Sequence, residues 1–146
     1  MVQLETQRFG TLAIPEESII EFEQGLYGFE DQRRFALLPV DPDQTRLLWL
    51  LSVADPALAL LIVDPTLISQ GYNPPIDPAD LRALGLDSIH EGIVMAVCVL
   101  SADPAKVTAN LQAPIIFNPT ARKGRQVIGL DPSLPVRQPV FQAAKS

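Results

Sequence analysis

Nucleophilic and acid–base chemistry needs a thiol, hydroxyl or imidazole beside a base, and this chain carries one histidine and one cysteine. Cys98 sits inside Met95-Ala96-Val97-Cys98-Val99-Leu100, where a free thiol packs as a small hydrophobe and its pKa is raised. His90 stands next to Glu91 ahead of an apolar run, with nothing spaced to join it, and reads as a polar loop residue. A small hydrolase using Ser52 or His90 is one rival reading, tested by replacing His90 with Gln. The carboxylate pairs Asp41/Asp43 and Glu21/Glu23 lack the further oxygen ligands and glycine of a calcium loop. Gly25 and Gly28 are followed by no Lys-Ser/Thr and lie in no βαβ pattern, so they form no phosphate cradle. The expectation is a protein with no catalytic residue, no metal and no cofactor.

Recognition chemistry is better represented. Ile20-Glu21-Phe22-Glu23-Gln24-Gly25-Leu26-Tyr27-Gly28-Phe29-Glu30-Asp31 alternates large apolar groups with four carboxylates and breaks the backbone at two glycines. Such a segment is a tight turn whose Leu26 and Phe29 plug the end of a barrel. It also reads as a recognition loop, with aromatic contact area from Tyr27 and Phe29 and with Glu21, Glu23, Glu30 and Asp31 steering a cationic partner. A second segment, Val107 to Asn118, puts Thr108, Asn110 and Gln112 on one face of an extended strand. Pro114 cannot donate to a ladder, so that strand is expected to bulge or to lie at an edge, where a foreign peptide can add itself. The expected contact patch is Glu21, Phe22, Glu23, Tyr27, Phe29, Glu30 and Asp31 from the first segment, with Asn110 and Asn118 from the second.

The elements that must hold these residues are short. Fourteen of the residues are proline, nearly double the usual ~5%. Six follow aspartate, at 41–42, 55–56, 64–65, 77–78, 103–104 and 131–132, and each pair favours a turn or a helix start. Between them lie apolar runs at 9–14, 18–22, 34–40, 46–53, 58–63, 92–100, 107–117 and 126–130. That spacing predicts an all-β fold, a small antiparallel β-barrel-like domain with one or two short helices. Leu47–Leu51 and Ile93–Leu100 are apolar on both faces and are expected to be central strands with a cover outside. Pro78–Leu84, capped by Asp77 and stopped by Gly85, is the first helix, and Pro65–Gln70 the second. One domain is expected over 1–131, with 132–146 as an extended Pro-rich arm.

At 146 residues the chain suits a single core, and 47% apolar composition excludes a disordered one. Its net charge of −6 disfavours nucleic acid and favours a basic protein. Arg122, Lys123 and Arg125 form the one dense basic cluster, read as a solvent-facing turn; a barrel for single-stranded nucleic acid needs a basic groove with stacking aromatics. A lone cysteine points to the reducing cytoplasm, and the N-terminus lacks the pattern of a signal peptide. Apolar stretches at 47–51, 57–63 and 93–100 are too short for the roughly 20 residues of a membrane helix.

Taken in order, Phe9-Gly10, Ile20-x-Phe22, Gly25-Leu26-x-Gly28-Phe29-Glu30, Trp49-Leu50-x-Ser52, Pro56-x-Leu58-Ala59, Thr108-x-Asn110-Leu111-x-Ala113-Pro114-Ile115-x-x-Asn118 and Gln126-Val127-Ile128 resemble the flagellar assembly factor FliW family over residues 6–130. Tyr27 stands where the family often has Pro, and Leu51 where Gln often follows Trp-Leu. The resemblance implies a small non-catalytic β-barrel in the cytoplasm that binds newly made flagellin. When flagellin is scarce, it implies binding to the translational regulator CsrA instead, with no direct nucleic-acid or membrane contact. A flagellin-specific chaperone without a regulatory partner is the alternative.

Overall fold

In the computed structural model, which describes residues 1–55 and 57–141, the strands are β1 (Val2–Thr6), β2 (Gly10–Ile14), β3 (Ile19–Glu21), β4 (Arg34–Pro39), β5 (Leu47–Ser52), β6 (Ala59–Val63), β7 (Ile93–Val99), β8 (Thr108–Asn118), β9 (Lys123–Gln126) and β10 (Gln138–Pro139). One helix, α1 (Pro78–Ala83), and four single 3₁₀ turns complete the described elements. Pro56 and residues 142–146 of the expected arm lie outside the described residues.

The Asp-Pro pairs do uniform work. In all six, the aspartate carboxylate accepts a hydrogen bond from the backbone N–H two residues on: Asp43, Ala57, Thr66, Ala79, Ala105 and Ser133. Proline has no N–H, so that position is the first donor available, and its fixed φ sets the turn. Three of these turns start helical segments at Pro65, Pro78 and Pro104. At the far end of α1, Gly85 takes φ 74° while Leu86 N–H bonds to Leu81 O and Gly85 N–H to Arg82 O. That is the left-handed helix stop expected of glycine there. Of the second expected helix, only Pro65–Leu67 forms, as a 3₁₀ turn.

Strands β3 to β9 close into a seven-stranded barrel in the order β8-β7-β6-β5-β4-β3-β9, with β9 returning to β8. Pairings are antiparallel except at the seam, where β3 meets β9 in parallel through Glu21 and Lys123. β5 and β7 are central, as their two-sided apolar character predicts. Inside, Phe22 stacks edge-on against Phe35 and Phe117 at centroid separations of 5.2 and 5.8 Å, with Leu26, Leu50, Ile62, Met95 and Ile115 around them. Outside, the β1–β2 hairpin covers Ile19, Ala36 and Leu51, with Phe9 edge-on to Trp49 and the Arg8 guanidinium 4.7 Å from that ring. The end of α1 covers Ile116 and Val127. The outer cover is thus a hairpin as well as a helix, and β1 is a strand that the apolar runs do not mark.

Of the two alternatives expected for β8 at Pro114, the bulge is the one observed, and the expected span of the last barrel strand is corrected. β8 is bulged but is not an edge: β7 pairs along one side, β9 along 115–118 and β10 along 108–109 on the other. Between Ile115 opposite Met95 and Asn110 opposite Val97, four residues including Pro114 face Ala96 alone. The last barrel strand runs over 123–126, not 126–130. Its inward residue is Gly124, where a Cβ would come 2.4 Å from the Phe22 ring, so the strand carries no apolar signal. Residues after it bond to the bulge instead, Val127 N–H to Pro114 O and Gly129 N–H to Gln112 O. Within 132–141, Leu111 N–H bonds to Pro135 O and β10 lies against β8.

Candidate partner-binding face

The β3–β4 connection is a closed excursion from Phe22 to Arg33, whose backbone groups bond at 2.8 Å. At its tip Leu26 and Phe29 exchange backbone hydrogen bonds around Tyr27-Gly28, and Gly28 takes φ 88°, the type II arrangement that selects glycine at the third position. Gly25 has φ 65°, and a Cβ there would lie 2.6 Å from the carbonyl oxygens of Phe29 and Glu30. The turn is fixed from outside by the Gln126 side chain, whose Oε1 accepts from Tyr27 N–H while its Nε2 donates to Ala113 O. The Glu30 carboxylate accepts from Gly28 N–H at 2.7 Å.

Beside this turn, a cleft of about 180 Å³ separates it from the end of α1, with β9 as its floor. Glu21, Glu23, Tyr27 and Glu30 line it, so four of the residues expected to meet a partner share one opening. Tyr27 is 54% exposed at the second position of the turn. The floor is basic. Lys123 Nζ lies 3.6 Å from Glu23 on the surface, and Arg125 Nε bonds a largely buried Asp80 at 2.8 Å. The basic cluster is therefore not a free turn: two of its three cations face carboxylates of this chain.

The remaining expected contacts lie elsewhere. Phe22 is 0% exposed and forms the barrel core; it supports the seam under Gly124 and offers no surface to a partner, which corrects its place in the patch. Leu26 plugs the barrel as expected, whereas Phe29 stays 38% exposed on the outer flank and, with the exposed Asp31, does not line the cleft. Asn110 accepts from Gln112 and Ala113 N–H and so holds the β8 bulge. Asn118 donates to Leu84 O at 2.7 Å and accepts from Ala121 N–H, tying α1 to the β8–β9 turn. Both asparagines serve the backbone. Among the cleft residues not anticipated are Lys123, Arg125 and Gln126. One available signal was charge, because the single basic cluster must go somewhere and the acidic segment is its natural counterpart.

Of the groups considered for catalysis, Cys98 and Ser52 are buried and His90 is exposed. Burial pushes the Cys98 thiol up to about 12, far from a thiolate nucleophile at neutral pH. Ser52 is buried; its hydroxyl donates to Gln32 and accepts from Asp55 N–H. His90 lies exposed on a 3₁₀ turn fixed by a capping box between Ser88 and Glu91. Among the described residues no helix is long and apolar enough to cross a membrane.

These features define a class: a small closed β-barrel, covered by a hairpin and a short helix, with a charged cleft at its seam. A family model described as FliW protein matches residues 3–140. A relative from Symbiobacterium thermophilum is 38% identical over 128 residues, covering 88% of this chain and 93% of its own. One from Bdellovibrio bacteriovorus is 35% identical over 138 residues, covering 94% and 78%, and one from Leptospira interrogans is 33% identical over 144, covering 98% and 95%. All three are named flagellar assembly factor FliW. A crystal structure of the flagellar assembly factor FliW matches with a TM-score of 0.87 at 29% identity, over 98% of this chain and 99% of that one. The chain belongs to the FliW family.

Proposed function

We propose that this flagellar assembly factor works by occupancy, without a reactive centre, in the reducing cytoplasm. It binds newly made flagellin, and when flagellin is scarce it binds the translational regulator CsrA, so that flagellin translation follows filament assembly. One observation carries the reading: three carboxylates and an exposed tyrosine surround a single cleft on a chain of net charge −6. A regulator that holds RNA phosphates is basic, and an acidic surface speeds its encounter at low salt. Tyr27 supplies the desolvated contact that attraction alone lacks, with Glu21, Glu23 and Glu30 as its rim. Two binding events that exclude each other are linked, so rising flagellin raises the apparent dissociation constant for the regulator and the reverse holds equally.

Gel filtration of the purified chain with the regulator at low salt tests this, and the expected result is co-elution that added flagellin reverses. Absence of a complex with the regulator, alongside retained flagellin binding, leaves the chaperone alternative in its place.

A further inference from the structure

β9 is paired along one side and nearly bare along the other. Arg122 O accepts from Glu21 N–H across the seam, whereas Val127 N–H donates to Pro114 O of β8. Backbone groups turn to alternate sides at successive residues of a strand, so Lys123 and Arg125 face β8 while Gly124 and Gln126 face away from it. On that far side the one parallel pair, Glu21 with Lys123, ends the seam. Phe22 N–H turns instead to Arg33 O, and the chain leaves β9 for the excursion that carries Tyr27. The Gly124 carbonyl and the N–H and carbonyl of Gln126 are left with no second strand beside them, and both residues lie in the cleft of about 180 Å³. Strand addition, expected at β8, is closed off there by β9 and β10; the open edge is this one.

Unpaired strand edges are templates for another strand, and the charge around this one narrows what that strand is. Lys123 lies 3.6 Å from Glu23 and Arg125 2.8 Å from Asp80, so both cations of the floor are already paired. Among the described residues no ion pair reaches Glu21 or Glu30, which line the same cleft. The charge left over is negative. A helix has its own N–H and C=O groups bonded internally and offers this edge nothing, whereas an extended segment brings free ones. We propose that the partner of this cleft under the occupancy reading, on which this step rests, enters it as an added strand. A short, extended, basic segment bonds to Gly124 and Gln126, and its Lys or Arg side chains meet Glu21 and Glu30. Gln126 then serves twice: its side chain already holds the Tyr27 turn in place, and its backbone receives the strand.

The test titrates the ¹⁵N-labelled full chain with the peptide Lys-Val-Lys-Val-Lys, blocked at both ends, whose valines favour an extended backbone. Saturable one-to-one binding is expected, with the largest amide shifts at Gly124 and Gln126 and slower hydrogen exchange at the Gln126 N–H. Methylating the backbone nitrogens of the three inner residues keeps every side chain and charge but removes the donors, and it weakens binding at least tenfold. Glu21→Gln combined with Glu30→Gln weakens it at least threefold at low salt, while Glu5→Lys on β1 leaves it within twofold. Equal affinity for the methylated peptide, no saturable binding, or shifts centred on the pairing of β8 with β10 overturn the proposal. If Gly124 and Gln126 shift when the chain alone is diluted, a second copy occupies the edge and the foreign strand is rejected. Co-elution with the regulator alongside failure of the peptide removes strand addition and leaves the occupancy reading standing; peptide binding without co-elution supports strand addition and removes the regulator as its source.

Discussion

The wall formed by β4, β5 and β6 and the seam between β3 and β9 close the same barrel by opposite means. In the wall, β5 pairs with five residues of β4 and five of β6, all antiparallel, over side chains such as Leu50 that water does not reach. At the seam a single parallel pair, Glu21 with Lys123, joins the two strands, helped by Glu21 N–H donating to Arg122 O. Stability is therefore concentrated where side chains are apolar, and the seam is left free to carry charge. The cleft that lines up Glu21, Glu23, Tyr27 and Glu30 lies on that seam, where these four side chains are exposed while Phe22 between them is buried in the core.

The largest effect expected tests the wall. Leu50→Ala removes a fully buried side chain and leaves a cavity, which costs about 2–5 kcal/mol in such positions. Urea denaturation measures it, and a loss below about 1 kcal/mol would mean the wall does not carry the stability assigned to it. Gly124→Ala sharpens the contrast from the other side. The added methyl meets the Phe22 ring, and overpacking of this kind costs about 1–3 kcal/mol. Its signature is local: amide exchange should quicken at Glu21 and Lys123 and stay slow in β5. Uniform quickening would show that seam and wall open together.

This division also explains what the sequence could and could not tell. In the wall β5 was legible because Leu47–Leu51 is an apolar run between the Asp-Pro turns at 41–42 and 55–56, and α1 because Asp77, Pro78 and Gly85 act within a few residues. β9 was not legible, since its inward residue is a glycine made necessary by Phe22, 102 positions earlier. Of the residues that line the cleft, Glu21, Glu23, Glu30 and Tyr27 stand out in the local alternation, but alternation does not tell which aromatic turns inward, and Phe22 did. Asn110 and Asn118 were polar for the backbone's sake, a demand that arises only once the bulge and the end of α1 exist.

A smaller effect separates charge that serves folding from charge that serves binding. Burial raises the Asp64 pKa, but hydrogen bonds from the Thr66 hydroxyl and N–H and the Arg46 guanidinium outweigh it and hold the carboxyl below the usual range. A depressed carboxyl contributes stability that is present above its unfolded pKa of ~3.9 and is lost as pH falls through the folded value. Asp64→Asn should therefore lower stability at pH 7 by no more than about 1 kcal/mol, and the two proteins should converge in strong acid. Equal stability at both pH values would remove the contact from the fold's support.

The smallest effect on stability is expected at the seam's own carboxylates, and it carries the functional side of the comparison. Glu21 and Glu23 are exposed; the one ion pair there, to Lys123 at 3.6 Å, is open to water and screened. Reversing both to Lys should leave the far-ultraviolet spectrum unchanged, yet slow association with a basic partner. Steering acts through long-range potential, so the loss should fall on the on-rate and shrink as ionic strength shortens the screening length from about 30 Å at 0.01 M to about 8 Å at 0.15 M. Stopped-flow association at both salt concentrations distinguishes the outcomes. A defect of equal size at the two concentrations would mean that these carboxylates make short-range contacts or that the partner docks elsewhere, and the division between a wall that folds and a seam that binds would fail.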